Sequence, residues 1–355
     1  MAYTAIDDPS AHFHIQLFTG DDNADRLITN DANAGDFRPD LLWLKNRSSV
    51  SSNCIFDSLR LASSESTVML RTNNTNAEED KVDRFGGFET DGFTVDGNDA
   101  DTNADGDLFV AWQWKANGSG SSNTSGSINT TATSANTTSK FSISTYTGTG
   151  SNATIGHGLG VAPSFIWVKQ RGGTTAQMVG HDKLSTGWTD YLTLHSTDPE
   201  YDDATMWQDT DPTSTVFSIG TDSTVNASSG TYVAYAFANV QGFSKFGSYT
   251  GNGNTDGAFV YTGLRPAWIM IKRTDTQDNW NIYDSKREGY NVDNDYVKAN
   301  ATTAEAADVD IDILSNGFKL RNTGFTLNQG GDTYVYAAFA EAPFVNSNGV
   351  PCIAR

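Results

Sequence analysis

The stretch Ala162–Arg171, APSFIWVKQR, places Phe165, Ile166, Trp167 and Val168 in a row between a proline and a polar, basic end. Proline presets φ, and its missing N–H does no harm at the first position of a strand. Four large apolar residues in succession require burial on both strand faces, the environment of a central strand inside a sandwich. The stretch recurs as RPDLLWLKNR (38–47) and RPAWIMIKR (265–273), each with six residues from proline to lysine.

The repetition extends in both directions. Upstream lie FHIQLFTG (13–20), FSISTYTG (141–148) and GSYTG (247–251), each ending in aromatic-Thr-Gly. Downstream an aspartate follows, Asp57, Asp182 and Asp284, at 18, 19 and 18 residues from the prolines. Then come DGFTV (91–95), TVFSI (215–219) and NGFKL (316–320), and finally LFVAWQW (108–114), TYVAYAFA (231–238) and TYVYAAFA (333–340). Five landmarks at near-constant spacing define three tandem units: 11–115, 141–240 and 243–343. Units of about 100 residues exceed a solenoid repeat and match a self-sufficient domain.

Short alternating segments separated by Gly, Asn and Asp, without a 3.6-residue period, predict an all-β chain. Each unit is expected to be an antiparallel β-sandwich, jelly-roll-like, with a barrel as the alternative. In the closing strand, Val233, Tyr235 and Phe237 alternate with Tyr232, Ala234, Ala236 and Ala238. The small-residue face invites close approach of another sheet. An arm (1–10) precedes the units, a tail (344–355) follows them, and residues 116–140 are a Gly/Ser/Thr/Asn-rich linker. As free coil the linker spans roughly 25–30 Å.

A net charge of −20 and a pI near 4.4 repel phosphate backbones and anionic membranes, so no nucleic-acid or membrane partner is expected. Two distant cysteines, Cys54 and Cys352, make no disulfide framework. The N-terminus lacks a signal-peptide pattern, and no stretch approaches a membrane span.

Chemistry-bearing motifs are few. Of the five histidines, His12 and His14 share a strand face without a third ligand, and His157 lies in GHGLG, which is not a phosphate loop. His181-Asp182 aligns with Phe56-Asp57 and Tyr283-Asp284, so the aspartate is the shared feature and fixes a turn. No nucleophile has a recognisable partner, and the chain is not expected to be an enzyme; no pair of carboxylates stands out as a glycosidase pair. DTNADGD (101–107) begins like a calcium loop through Asp101, Asn103, Asp105 and Asp107, but Trp112 occupies the twelfth position where an EF-hand has glutamate. A hairpin turn is the plainer reading and a weak Ca²⁺ site the functional one; no cofactor is required. Trp188, Tyr191, Tyr201, Trp207 and Trp280 fall in or near variable stretches. Packing is the ordinary role of such residues, and stacking on sugar faces the functional alternative.

MAYTAIDDPSAHFH, the LFTG…RPDLLWLKNR unit, YTGTGSNATIGHGLGVAPSFIWVKQR, YTGNGNTDGAFVYTGLRPAWIMIKR and AFAEAPFVNSNGVP resemble repeated-domain virion proteins of marine tailed phages, variously labelled tail fibre or structural protein. The resemblance covers nearly the whole chain. It implies a virion component made in the host cytoplasm, present as a homo-oligomer or in several copies, and partnered by other tail or capsid proteins. It supplies no catalytic residues. On that basis unit one and the arm are expected to dock to the particle, and units two and three to project toward host-surface glycans. A capsid decoration protein with a purely structural role is the alternative, and a glycan-degrading enzyme is a third reading.

Overall fold

The computed structural model describes residues 3–31, 37–60, 68–80, 83–97, 99–288 and 291–353. Met1 and Ala2 of the arm, and Ala354 and Arg355 of the tail, lie outside them. Strand is the dominant regular structure and the helices are single turns; every sheet is antiparallel, and the sheets stack as sandwiches without closing into a barrel.

Each unit is built on the same four strands. The opening strands are Phe13–Thr19, Phe141–Thr147 and Ser244–Thr250. Closing strands Leu108–Trp114, Thr231–Phe237 and Thr333–Pro343 lie between these and the central strands Leu41–Asn46, Phe165–Gln170 and Leu264–Arg273. Return strands Asn53–Asp57, Gln177–His181 and Trp280–Asp284 follow on the far side. The proline-led stretches are therefore central strands, buried on both faces as their composition requires.

The two faces of a central strand enter different cores. Ile166 and Val168 pack inside their own unit, whereas Phe165 and Trp167 join a cluster that also contains Leu41, Trp43, Trp268 and Met270. Closing strands divide the same way. Val233, Tyr235 and Phe237 face this shared core, and Ala234 and Ala236 face Trp188 and Trp207 of their own unit. The bulky face, not the small one, thus meets the neighbours. Phe237 and Phe339 stand 5.7 Å apart across units, and Trp112 and Trp268 stand 6.3 Å apart. The three repeats share one apolar centre, so none buries its inner sheet face alone.

Polar joints close the ring in cyclic order. Glu78 N–H donates to Arg171 O, Glu200 N–H to Thr274 O and Glu305 N–H to Arg47 O, at 2.8, 2.8 and 2.9 Å. Each contact joins one unit to the next, and the third returns to the first. Three fully buried lysines reach the opposite way: Lys169 to Thr75 O at 3.1 Å, Lys272 to Thr197 O at 3.2 Å and Lys45 to Thr302 O at 3.2 Å. Burial lowers each ammonium to about 8, and main-chain carbonyls supply its hydrogen bonds.

A second joint uses the last residue of each return strand. Asp57 holds Arg60 within unit one, both fully buried, and accepts from Tyr235 OH of unit two at 2.6 Å. Asp284 holds Arg287 and accepts from Trp112 Nε1 of unit one at 3.0 Å. Unit two departs from this pattern. Leu41 pairs with Asp57 and Trp268 with Asp284, but Phe165 pairs with His181, so His181 and not Asp182 occupies the equivalent position. The one-residue difference in spacing had aligned the wrong neighbour. Its facing residue on unit three is Ala337, which has no side-chain donor. His181 Nε2 instead donates to Tyr336 O at 3.3 Å, and Leu184 stands where the other units have arginine.

The segment 116–140 is folded rather than free coil. Ala132–Asn136 adds a strand beside Phe141–Thr147, and Ile128 N–H donates to Thr154 O at 3.1 Å. Composition suggested coil, but hydroxyls such as Thr133 bond the neighbouring strand, here Ser144 at 3.0 Å. The arm is also docked: Ile6 enters the shared core and Tyr3 OH donates to Gly263 O of unit three at 2.8 Å.

A buried asparagine clamps each unit five residues before the closing strand: Asn103, Asn226 and Asn328. Their side-chain oxygens accept from Asp21, Thr149 and Asn252 N–H at 3.3, 2.8 and 2.9 Å. The glycine of each aromatic-Thr-Gly lies beneath this clamp. A Cβ there would come within 1.9, 2.5 and 2.2 Å of the carbonyl oxygen of Ala104, Ala227 and Gln329.

Two outcomes follow. Asn328→Ala removes bonds to Asn252, Asn254 and Asn322 and lowers stability by about 2–4 kcal/mol in urea denaturation. Asp284→Ala leaves Arg287 buried without its nearest anion and costs about 3–5 kcal/mol, against about 1–2 for Tyr235→Phe, which leaves the Asp57–Arg60 pair intact.

Candidate functional site

The structure divides the five candidate aromatics. Trp188 and Trp207 are core residues of unit two, packed edge to face with centroids 6.1 Å apart. Gly180 makes room for them, since a Cβ there would come within 2.3 Å of the Trp188 ring. Trp280 is a joint: its indole N–H donates to Thr193 O of unit two at 3.0 Å. The equivalent positions hold Asn53, donating to Lys298 O and Ala301 O of unit three, and Gln177, donating to Arg71 O and Asn74 O of unit one. These three tryptophans are therefore not a stacking surface. Trp188 and Trp207 are carried inward because the second layer of unit two needs bulk that its short strands do not supply, whereas Trp280 opens a return strand and faces the shared core.

Tyr191 and Tyr201 remain. They face each other across the strand pair Asp190–Thr193 and Tyr201–Asp202, with centroids 6.0 Å apart and ring planes at 37°. Tyr201 is 46% exposed. Burial, with Asp203 and Asp222 nearby, raises the Tyr191 phenol above its usual value, so it remains a hydrogen-bond donor at neutral pH. An amphipathic tyrosine pair beside carboxylates can stack on a sugar ring and bond its hydroxyls. Sequence reading missed a second exposed pair, Phe259 and Tyr261, which alternates with buried Val260 on the edge strand of unit three. The aromatic–apolar–aromatic order was its only signal.

The side chains of the acidic loop do not converge. Asp101 accepts from Ser51, Ser52 and Arg84; Asn103 is the clamp; Asp107 accepts from Asn46 and Ser49. Asp105 engages Asp22 through its main-chain N–H. Among the described residues, no three His, Cys, Asp or Glu side chains group to hold a metal ion. Asn103 belongs to a threefold-repeated clamp, and arginine occupies the anionic face of Asp101.

Two histidines use both ring nitrogens on the fold. His157 Nδ1 accepts from Leu159 N–H and Nε2 donates to Thr213 O; His181 Nδ1 accepts from Lys183 N–H. Burial lowers both to about 4. His12 bonds Asn136, and His14 is buried beside Gln16. Next to these elements, a groove of about 540 Å³ runs along unit two between Pro163 and Pro212, with Asp182 and Lys183 in its wall.

The histidines set an acid limit. The folded state holds them neutral, whereas the unfolded chain protonates near 6.5. Their stabilisation is complete above that value and is lost as pH falls toward 4. The stability difference between wild type and His181→Gln changes by about 1.4 kcal/mol per pH unit between pH 6 and 4.5, measured by urea denaturation. Parallel pH curves would contradict a neutral His181 joint.

A family model described as a domain of unknown function, DUF7483, matches residues 8–343. No curated protein and no solved structure matches the chain. The match spans all three units and the joints between them, and the chain belongs to the DUF7483 family.

Proposed function

We propose that the chain is a bacteriophage virion structural protein, an appendage component that contributes to host-surface attachment by binding glycans. The observation that carries this reading is the cyclic closure of three sandwiches in one chain. Such a body offers a threefold-like footprint to a trimeric fibre or a threefold position on a shell. Loops on a rigid scaffold are the usual place for recognition. The likeness of its long motifs to phage virion proteins points the same way.

Sugar contact falls to Tyr191 and Tyr201 on unit two, with Phe259 and Tyr261 on unit three as a second platform. The burial of Trp188, Trp207 and Trp280 leaves fewer exposed aromatics than the sequence suggested, and it favours capsid decoration as the second reading.

Immunogold labelling of intact particles with antibody to exposed loops of units two and three tests the proposal. Label on the tail or its fibres is expected, and Tyr201→Ala should then weaken cell binding by about tenfold, the effect of one stacking contact. Label spread over the head would replace attachment with decoration. Absence of the chain from purified particles would refute both.

A further inference from the structure

The walls beside the three central strands are equivalent; the outgoing chain covers this wall in unit one and turns away from it in unit two. The equivalence rests on one repeated bond. Ser58 N–H donates to Asp40 O, Asp182 N–H to Ser164 O and Ser285 N–H to Ala267 O. These pairs line corresponding walls.

In unit one, the chain leaving the closing strand passes over this wall and turns at Gly118, where φ is 67°. Asp40 accepts Ala116 N–H at 2.8 Å and Gly118 N–H at 3.1 Å, and Ser58 Oγ donates to Gly118 O at 3.2 Å. One carboxylate and one hydroxyl thus hold a three-residue piece of main chain. In unit two, the outgoing chain turns away. Val240 N–H donates to Ser244 O, and the strand of unit three begins at once. Asn239 reaches the wall only through its amide, which donates to Ser164 Oγ at 2.8 Å. The groove of about 540 Å³ remains beside it.

Its polar pair is the unit-one pair with positions exchanged. Serine stands in place of Asp40, and aspartate in place of Ser58. Ser164 Oγ accepts one bond and keeps a proton to donate. Asp182 is about a quarter exposed, though not at Oδ1, which is closed off from solvent and has no hydrogen-bond donor among the described residues; Oδ2, 3.3 Å from Lys183 Nζ, is the acceptor left to the groove. His181 Nδ1 lies 3.5 Å from Oδ1 but cannot supply a proton, because it accepts the Lys183 N–H. An acceptor and a donor on one wall, flanked by Pro163 and Pro212, match the N–H and C=O groups of a main chain, as Asp40 and Ser58 match those of Ala116 and Gly118 in unit one.

We propose that this groove binds a polypeptide segment of a partner protein, held through main-chain hydrogen bonds to Asp182 and Ser164. The segment carries small residues where it crosses the wall, as Ala116-Asn117-Gly118 does in unit one. Asp182 and Asp211 against a single lysine, on a chain of net charge −20, select an uncharged or basic segment.

The probe is a synthetic peptide with the sequence of residues 115–121, Lys-Ala-Asn-Gly-Ser-Gly-Ser, added to the full-length chain and followed by amide NMR. We expect shifts confined to residues around Ser164, Asp182 and Pro212, saturating in the millimolar range. Asp182→Ala should weaken binding about tenfold, the loss of one charge-assisted bond. Native dispersion of the remaining amides in that variant separates lost binding from lost fold. No shift at the groove up to about 10 mM peptide, or undiminished binding by Asp182→Ala, overturns the proposal. So does a response to a neutral oligosaccharide in place of the peptide, which would assign the groove to sugar.

Discussion

The inner face of each main sheet is too apolar to meet water, and this constraint organises the molecule. Trp43, Trp112 and Trp114 of unit one, Phe165, Trp167 and Tyr235 of unit two, and Trp268 and Phe339 of unit three are all but fully buried, and they are buried by one another. Apolar burial is worth roughly 25 cal/mol per Å². That driving force is available to a unit only when its two neighbours are present. The polar joints do not supply the bulk of the energy; they fix the order and register of the units, since a buried carboxylate, arginine or lysine tolerates only the arrangement that satisfies it.

The exception in unit two follows the same physics. Asp57 and Asp284 each rest on a donor from the next unit, Tyr235 and Trp112. Ala337 offers no donor, so a carboxylate at position 181 would lack that bond and its arginine would lack a reason to be buried. A neutral histidine that donates to a main-chain carbonyl, with leucine in place of arginine, removes both charges together. The joints are thus matched across unit boundaries, and the units are not interchangeable.

The proline-led runs were legible because a central strand buried on both faces leaves no alternation, a local signal. The alternation of the closing strands was legible too, but which face met the neighbours was not. That depends on where the tryptophans of loops such as 180–210 fold, and nothing local encodes it. The one-residue shift at His181-Asp182 could be resolved only by strand register. Asn103 showed its identity through the matching Asn226 and Asn328, a repeat signal that the acidic composition of DTNADGD obscured. The segment 116–140 has the composition of a linker, yet its serines and threonines bond an edge strand, and composition does not report the presence of such an edge. Trp280 illustrates the limit for site residues: an aromatic in a variable stretch serves a joint or a ligand depending on what stands opposite.

The variation between units falls on the wall beside each central strand, on the side-chain joints and on the outer loops, while the asparagine clamp, the main-chain joints with their buried lysines and the apolar core repeat. The shared core makes the three units one cooperative body. Differential scanning calorimetry of the intact chain tests it most directly. One transition with equal calorimetric and van't Hoff enthalpies is the predicted result, because no unit keeps its inner face buried once another unfolds. Separate transitions, each with the enthalpy of about 100 residues, would show that the units fold independently and would contradict it.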